Sequence, residues 1–233
     1  MLTRLIDQVL GDRPRDERPK RCFHPSSLHK PADELYRLYL EGDNGEVFEP
    51  RILRIFDNGH AVHRRLQEYL SRAGVLIEAE TPVRNEEYEI VGHADGIVEV
   101  KGKRGVLEIK SMNASTFHST YEPKPEHLVQ VNVYMFCLSL RRGVLLYECK
   151  DDQNLKEFYV MQDRAILDPI LDKIRSVQNR IRAEGIGGNL PGFSTKMPVP
   201  DMSDRFRAGG GCRGGLGLGE RPKRGCRWNR LEG

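Results

Sequence analysis

The sequence predicts a mixed α/β fold built around a small sheet, and three observations predict it. Apolar residues recur every three or four positions over 49–73, the period shortens towards two over 75–110, and helix-like and strand-like stretches then alternate as far as 183. Element by element, Leu35, Leu38 and Tyr39 give 31–40 a helical face. Ile52, Phe56, Gly59, His63, Leu66 and Leu70 trace one side of a long helix ending at Gly74, which places His63 on the inward side. Over 75–110, β-branched residues with turn signals at 84–87 and 101–105 predict a three-stranded meander. A helix over 125–140, strands over 144–149 and 156–161 and an amphipathic helix over 163–183 complete the order. Beyond Gly185 the character shifts to Gly, Pro and Arg with no apolar period. The expected organisation is an N-terminal segment (1–24), a core (25–185) and a Gly/Arg-rich tail (186–233).

The 233 residues, 38% of them hydrophobic, suffice for one substantial core with appendages. With 37 Lys and Arg against 34 Asp and Glu, the net charge of +3 permits nucleic-acid binding without demanding it. The chain has no long apolar run of the kind that spans a membrane, and Arg4 and Asp7 interrupt the apolar pattern of 1–10. Five cysteines at irregular spacing argue against a disulfide framework. A cytoplasmic protein without membrane contact is expected.

The stretch from Gly92 to Lys110 carries the most chemistry. Glu108 and Lys110 are two apart, so a strand puts both on one face and turns Leu107 and Ile109 to the other. If the hairpin turns at Lys101-Gly102, Asp95 lies opposite Glu108 with Cβ atoms roughly 5 Å apart, although Gly102 and Gly105 also allow other turns. Facing carboxylates destabilise a sheet unless a cation sits between them, and oxygen ligands suit magnesium or manganese. Lys110 beside such a cation would stabilise charge developing on a phosphate. The plainer alternative is a solvated hairpin with a routine Glu108–Lys110 surface pair.

Asp95, a spacer of a dozen residues and Glu108-Ile109-Lys110 resemble motifs two and three of the PD-(D/E)xK nucleases, with Gly92 and Gly96 flanking the aspartate. His63, in Gly59-His60-Ala61-Val62-His63, resembles the motif-one histidine of the RecB-like branch, and Gln130 with Tyr134 resembles its QxxxY motif. That branch includes CRISPR-associated exonucleases and phage-encoded relatives. The resemblance implies a restriction-endonuclease-like core, a small mixed sheet flanked by helices. It implies His63, Asp95, Glu108 and the Ile109 backbone carbonyl as ligands of Mg2+ or Mn2+, with Lys110 as the lysine of the motif. It further implies that Gln130 and Tyr134 line a DNA channel. The expected activity is metal-dependent hydrolysis of DNA phosphodiester bonds by an exonuclease of little sequence specificity. A structure-selective or CRISPR-adaptation endonuclease is the alternative, and an inactive DNA-binding module is the alternative of another class. DNA is the expected partner, with recombination or CRISPR-adaptation proteins beside it.

Relatives of this branch often hold an iron-sulfur cluster with one upstream and three C-terminal cysteines. Here Cys22, Cys212 and Cys226 are available, and Pro31 stands about where the upstream cysteine is expected. Three cysteines with His24 or His29 would complete a tetrahedral zinc site, or an iron-sulfur site, stapling the tail to the N-terminal region. Cys137 and Cys149 are expected as packed thiols. The tail also carries eight basic against three acidic residues over 204–233, a composition suited to phosphate contacts or simply to solubility.

Overall fold

The computed structural model describes residues 1–12, 21–42 and 48–186. Among these, helices α1 (Leu2–Gly11), α2 (Ala32–Glu41) and α3 (Pro50–Arg72) precede strands β1 (Leu76–Asn85), β2 (Ile90–Val100) and β3 (Lys103–Met112). Then follow α4 (Ala114–Ser119), α5 (Pro125–Cys137), β4 (Arg142–Cys149), β5 (Leu155–Met161) and α6 (Arg164–Ala183). The five strands form one mixed sheet in sequence order. β1, β2 and β3 run antiparallel, β4 joins β3 in parallel after the α4–α5 crossover, and β5 returns antiparallel to β4.

The meander and the span of the long helix match the sequence reading, but on α3 Phe56 of the expected inward face is 43% exposed while Val62 and Gln67 are buried; the other differences are local. β1 runs to Asn85, so its turn falls later than 84–87; Asn85 Oδ1 accepts the Tyr88 amide and closes it. α5 stops at Cys137 rather than 140, because Ser139 adopts a left-handed backbone (φ 54°) that no helix continues through. Two helices were not expected. α1 is one, and α4 is the other, a six-residue turn capped by Asn113, whose Oδ1 accepts the Thr116 amide at 2.8 Å.

Strand alternation assigns the faces. Val106, Leu145, Tyr147 and Cys149 point to one side, where α5 packs Val131, Tyr134 and Met135 into the same apolar cluster. Leu107 and Ile109 point to the other, the side of α3 with its buried Val62 and Leu66. A second cluster joins α2, α6 and the 23–28 segment through Phe23, Leu28, Leu35, Tyr39, Leu167 and Ile174. No helix among the described residues is long and apolar enough to cross a membrane.

Candidate active site

The β2–β3 hairpin turns at Lys101-Gly102, both with positive φ (53° and 73°), the backbone that a tight two-residue hairpin loop needs. Its register pairs Val100 with Lys103, Val98 with Gly105 and Gly96 with Leu107. One step further would be Asp95 with Glu108, and there the ladder stops. The β1–β2 ladder also skips this point: Ala79 pairs with Gly96 and Thr81 with Ala94, leaving out Glu80 and Asp95. Glu80 has φ 51°, a left-handed backbone that L side chains rarely adopt within a strand. The residue beside Asp95 must be glycine, since a Cβ on Gly96 would lie 2.5 Å from the Glu78 carbonyl oxygen.

Beyond the fork, other groups take the place of β3 along β2. Phe23 bridges to Ile90, its amide donating to Glu89 and its carbonyl accepting from Val91. His24 Nδ1 lies 3.1 Å from the Val91 carbonyl, and the Tyr134 hydroxyl donates to the His93 carbonyl at 2.7 Å. Backbone groups buried without partners would be costly, so these contacts keep the fork open.

Four predicted residues meet at the fork. Asp95 Oδ1 is 3.0 Å from His63 Nδ1 on α3, and Asp95 Oδ2 accepts the Ile109 amide at 2.6 Å. Lys110 Nζ sits 2.8 Å from Glu108 Oε1. Glu108 is 2% exposed, and its other oxygen, Oε2, is buried with no hydrogen-bond partner. Burial pushes the Glu108 carboxyl up to about 8; the Asp95 charge adds to the shift, while Lys110 and His63 oppose it. For His63, burial favours the neutral ring, but the Asp95 hydrogen bond and the charges of Asp95 and Glu108 more than offset it, and its pKa lies above the ordinary value.

Gln130 and Tyr134, the pair that the resemblance would set along a DNA channel, are buried. They are 6% and 3% exposed, with the Gln130 amide donating to the Tyr134 hydroxyl at 3.1 Å. As placed, the pair braces β2 through His93.

Gln67, its partner Glu80 and His127 were not singled out from the sequence. Gln67 Nε2 donates to the Asp95 carbonyl at 2.8 Å and to Glu80 Oε1 at 2.7 Å, holding the irregular strand position that both ladders skip. It lies one helical turn after His63, and that i, i+4 spacing was the available signal. His127, on α5, has Nδ1 2.8 Å from the Tyr147 hydroxyl, which also accepts the Lys124 amide at 3.2 Å. Burial, reinforced by the Lys110 charge, holds His127 down at about 4, so its ring is neutral.

The donor set fits a divalent cation. The Asp95 carboxylate is paired with the His63 imidazole, the Asp95 charge also acts on the Glu108 carboxyl, and the partnerless Glu108 oxygen is the group that a cation would satisfy. Of the expected sulfur site, Cys22 Sγ lies 3.6 Å from His24 Nε2, His29 is exposed, and Cys212 and Cys226 fall outside the described residues.

The five-stranded mixed sheet flanked by helices is a fold that this chain shares with solved exonuclease structures. Among solved structures sharing it is an alkaline exonuclease, LHK-Exo, from Laribacter hongkongensis, at 16% identity over 78% of this chain and 93% of that one (TM-score 0.51). A structure of LHK-Exo in complex with dAMP matches at 19% identity over 70% of this chain and 89% of that one (TM-score 0.50). No protein-family model and no curated protein matches the chain.

Proposed function

We propose that the chain is a Mg2+- or Mn2+-dependent deoxyribonuclease that hydrolyses DNA phosphodiester bonds, an exonuclease with little sequence preference. The observation that carries this reading is the Glu108 carboxyl group, buried beside Asp95 with one oxygen lacking any partner. A site that stores such a cost is organised for a ligand the apoprotein lacks. His63, Asp95, Glu108 and the Ile109 carbonyl would hold the cation. When bound, the cation supplies positive charge to the scissile phosphate and lowers the pKa of the attacking water.

The chain's own residues do the rest. Lys110 brings a fixed ammonium to the mouth of the fork, where charge grows on the phosphate oxygens, and the nearby Glu108 restrains it before substrate arrives. Gln67 and the Ile109 amide fix the Asp95 backbone and carboxylate, so this ligand is held in place before binding. Gln130 and Tyr134 act here as positioning residues beneath His93 rather than as direct DNA contacts. The basic 204–233 segment would add sequence-independent phosphate contacts. A same-fold exonuclease crystallised with dAMP is consistent with a nucleotide product.

Product analysis tests the mode. With Mg2+, end-labelled linear DNA should be degraded from its ends while covalently closed circles stay intact. Cutting of closed circles or of branch points would instead select an endonuclease, and DNA binding without cleavage in either metal would select an inactive binding module.

A further inference from the structure

His118, Cys149 and Asp152 come together outside the fork, with one potential ligand atom from each lying within 4.8 Å of the other two. His118 is in the last turn of α4, Cys149 ends β4, and Asp152 lies in the turn before β5. His118 Nε2 is 3.5 Å from Asp152 Oδ2. A tetrahedral zinc site with bonds of about 2.0–2.3 Å sets its donors roughly 3.3–3.8 Å apart, so this edge already has the right length. The Cys149 thiol also hydrogen-bonds the Asp152 carboxylate, the largest cause holding that carboxyl down at about 2.

The two ligand-bearing segments are fixed to each other by groups that are not themselves donors. Asp151 Oδ2 accepts the Ala114 amide at 2.6 Å at the start of α4. Lys156 Nζ donates to the Phe117 and Thr120 carbonyls at 2.5 and 2.9 Å at its end. Asp152 Oδ1 accepts the Asn154 amide at 3.0 Å, which leaves Oδ2 turned to His118. The sulfur is buried, while the other two side chains are 60% (His118) and 38% (Asp152) exposed, so a cation could reach the site from solvent.

We propose that His118, Cys149 and Asp152 form a second metal site, selective for a zinc-class divalent cation, with water in the fourth position. A thiolate and an imidazole favour zinc over magnesium, whereas the carboxylate-rich fork favours the harder ions, so the two sites divide the metals by chemistry. Binding releases the thiol proton to solvent and forms the sulfur–metal bond. Occupancy clamps α4, which starts four residues after Lys110, to the β4–β5 turn. The site does not depend on the nuclease reading.

The full chain, stripped of metal and kept in excess Mg2+, is titrated with Co2+ as a spectroscopic stand-in for zinc, with folding checked by circular dichroism. His118→Ala and Asp152→Asn, both at exposed positions, should each weaken one cobalt-binding step at least tenfold. Cys149→Ser should remove the thiolate-to-cobalt absorption of that step, and Asp95→Ala should leave it intact. Wild-type stoichiometry and affinity in folded His118→Ala and Asp152→Asn would overturn the proposal. So would an unchanged thiolate band in Cys149→Ser, since cobalt would then be held by other cysteines.

Discussion

Asp95 accepts the backbone amide of Ile109 on its carboxylate at the step where the β2–β3 ladder ends, so a side chain replaces the main-chain pairing that would have closed the sheet. The same contact ties Asp95 to the Glu108-Ile109-Lys110 stretch. Asp95→Asn keeps the shape but halves the chance that an acceptor faces Ile109. It should lower stability by about 1 kcal/mol and cleavage by about 10³-fold, because a ligand charge is lost as well. Thermal melting and single-turnover cleavage check the two numbers separately.

Glu108 makes the metal-free protein sensitive to alkali. Its folded pKa of about 8 lies above that of the unfolded chain, so the folded state holds the extra proton. Its stabilising share is full below the ordinary glutamate range, declines as pH rises and is lost above about 8. His63, also raised, acts in the same direction. Metal-free Glu108→Gln should therefore gain on wild type as pH rises from 5 to 9, by on the order of 1 kcal/mol or more, while added Mn2+ should stabilise only the wild type. Denaturant unfolding across that range is the check, and a pH-independent difference would count against a buried, strained carboxyl.

Tyr134→Phe should cost about 1–2 kcal/mol by leaving the His93 carbonyl without its donor. It should slow turnover while leaving affinity for DNA nearly unchanged. Unchanged melting with weakened DNA binding would instead make Tyr134 a direct contact.

Arg65 pairs with buried Glu148 at 2.5 Å, but is itself 40% exposed. Removing it strands a buried charge, a loss discounted by solvent around the arginine, so Arg65→Ala should cost about 2 kcal/mol. Adding Glu148→Gln should restore most of that loss in denaturant midpoint, and failure to do so would mean that the arginine stem, not its charge, stabilises this face.

Period and spacing are local properties, so the meander and the hairpin register were legible in the sequence, whereas the grouping of His63 with Asp95, Glu108 and Lys110 rested on the family resemblance. The sequence reading missed Glu80 and Gln67 because Glu80 has an irregular backbone, which periodicity cannot reveal, and Gln67 gains meaning only once Asp95 is known to be unpaired. Gln130 and Tyr134 share a helix face by their i, i+4 spacing, but their buried contact with the His93 carbonyl depends on the fork in β2, which spacing does not reveal. α4 has the Asn113 cap as its local signal but only six residues, too few for an apolar period, and distant Asp151 and Lys156 hold it in place.

The central claim is that Asp95 and Glu108 hold the cation on which DNA hydrolysis depends. The most direct measurement is the single-turnover rate on end-labelled duplex DNA as Mn2+ is titrated into metal-free wild type and folded Glu108→Ala. The wild-type rate should rise from zero to a plateau with Mn2+ and vanish in chelator, and Glu108→Ala should stay at least 10³-fold lower at every concentration. Cleavage by wild type in chelator, or a wild-type plateau in folded Glu108→Ala, would contradict it.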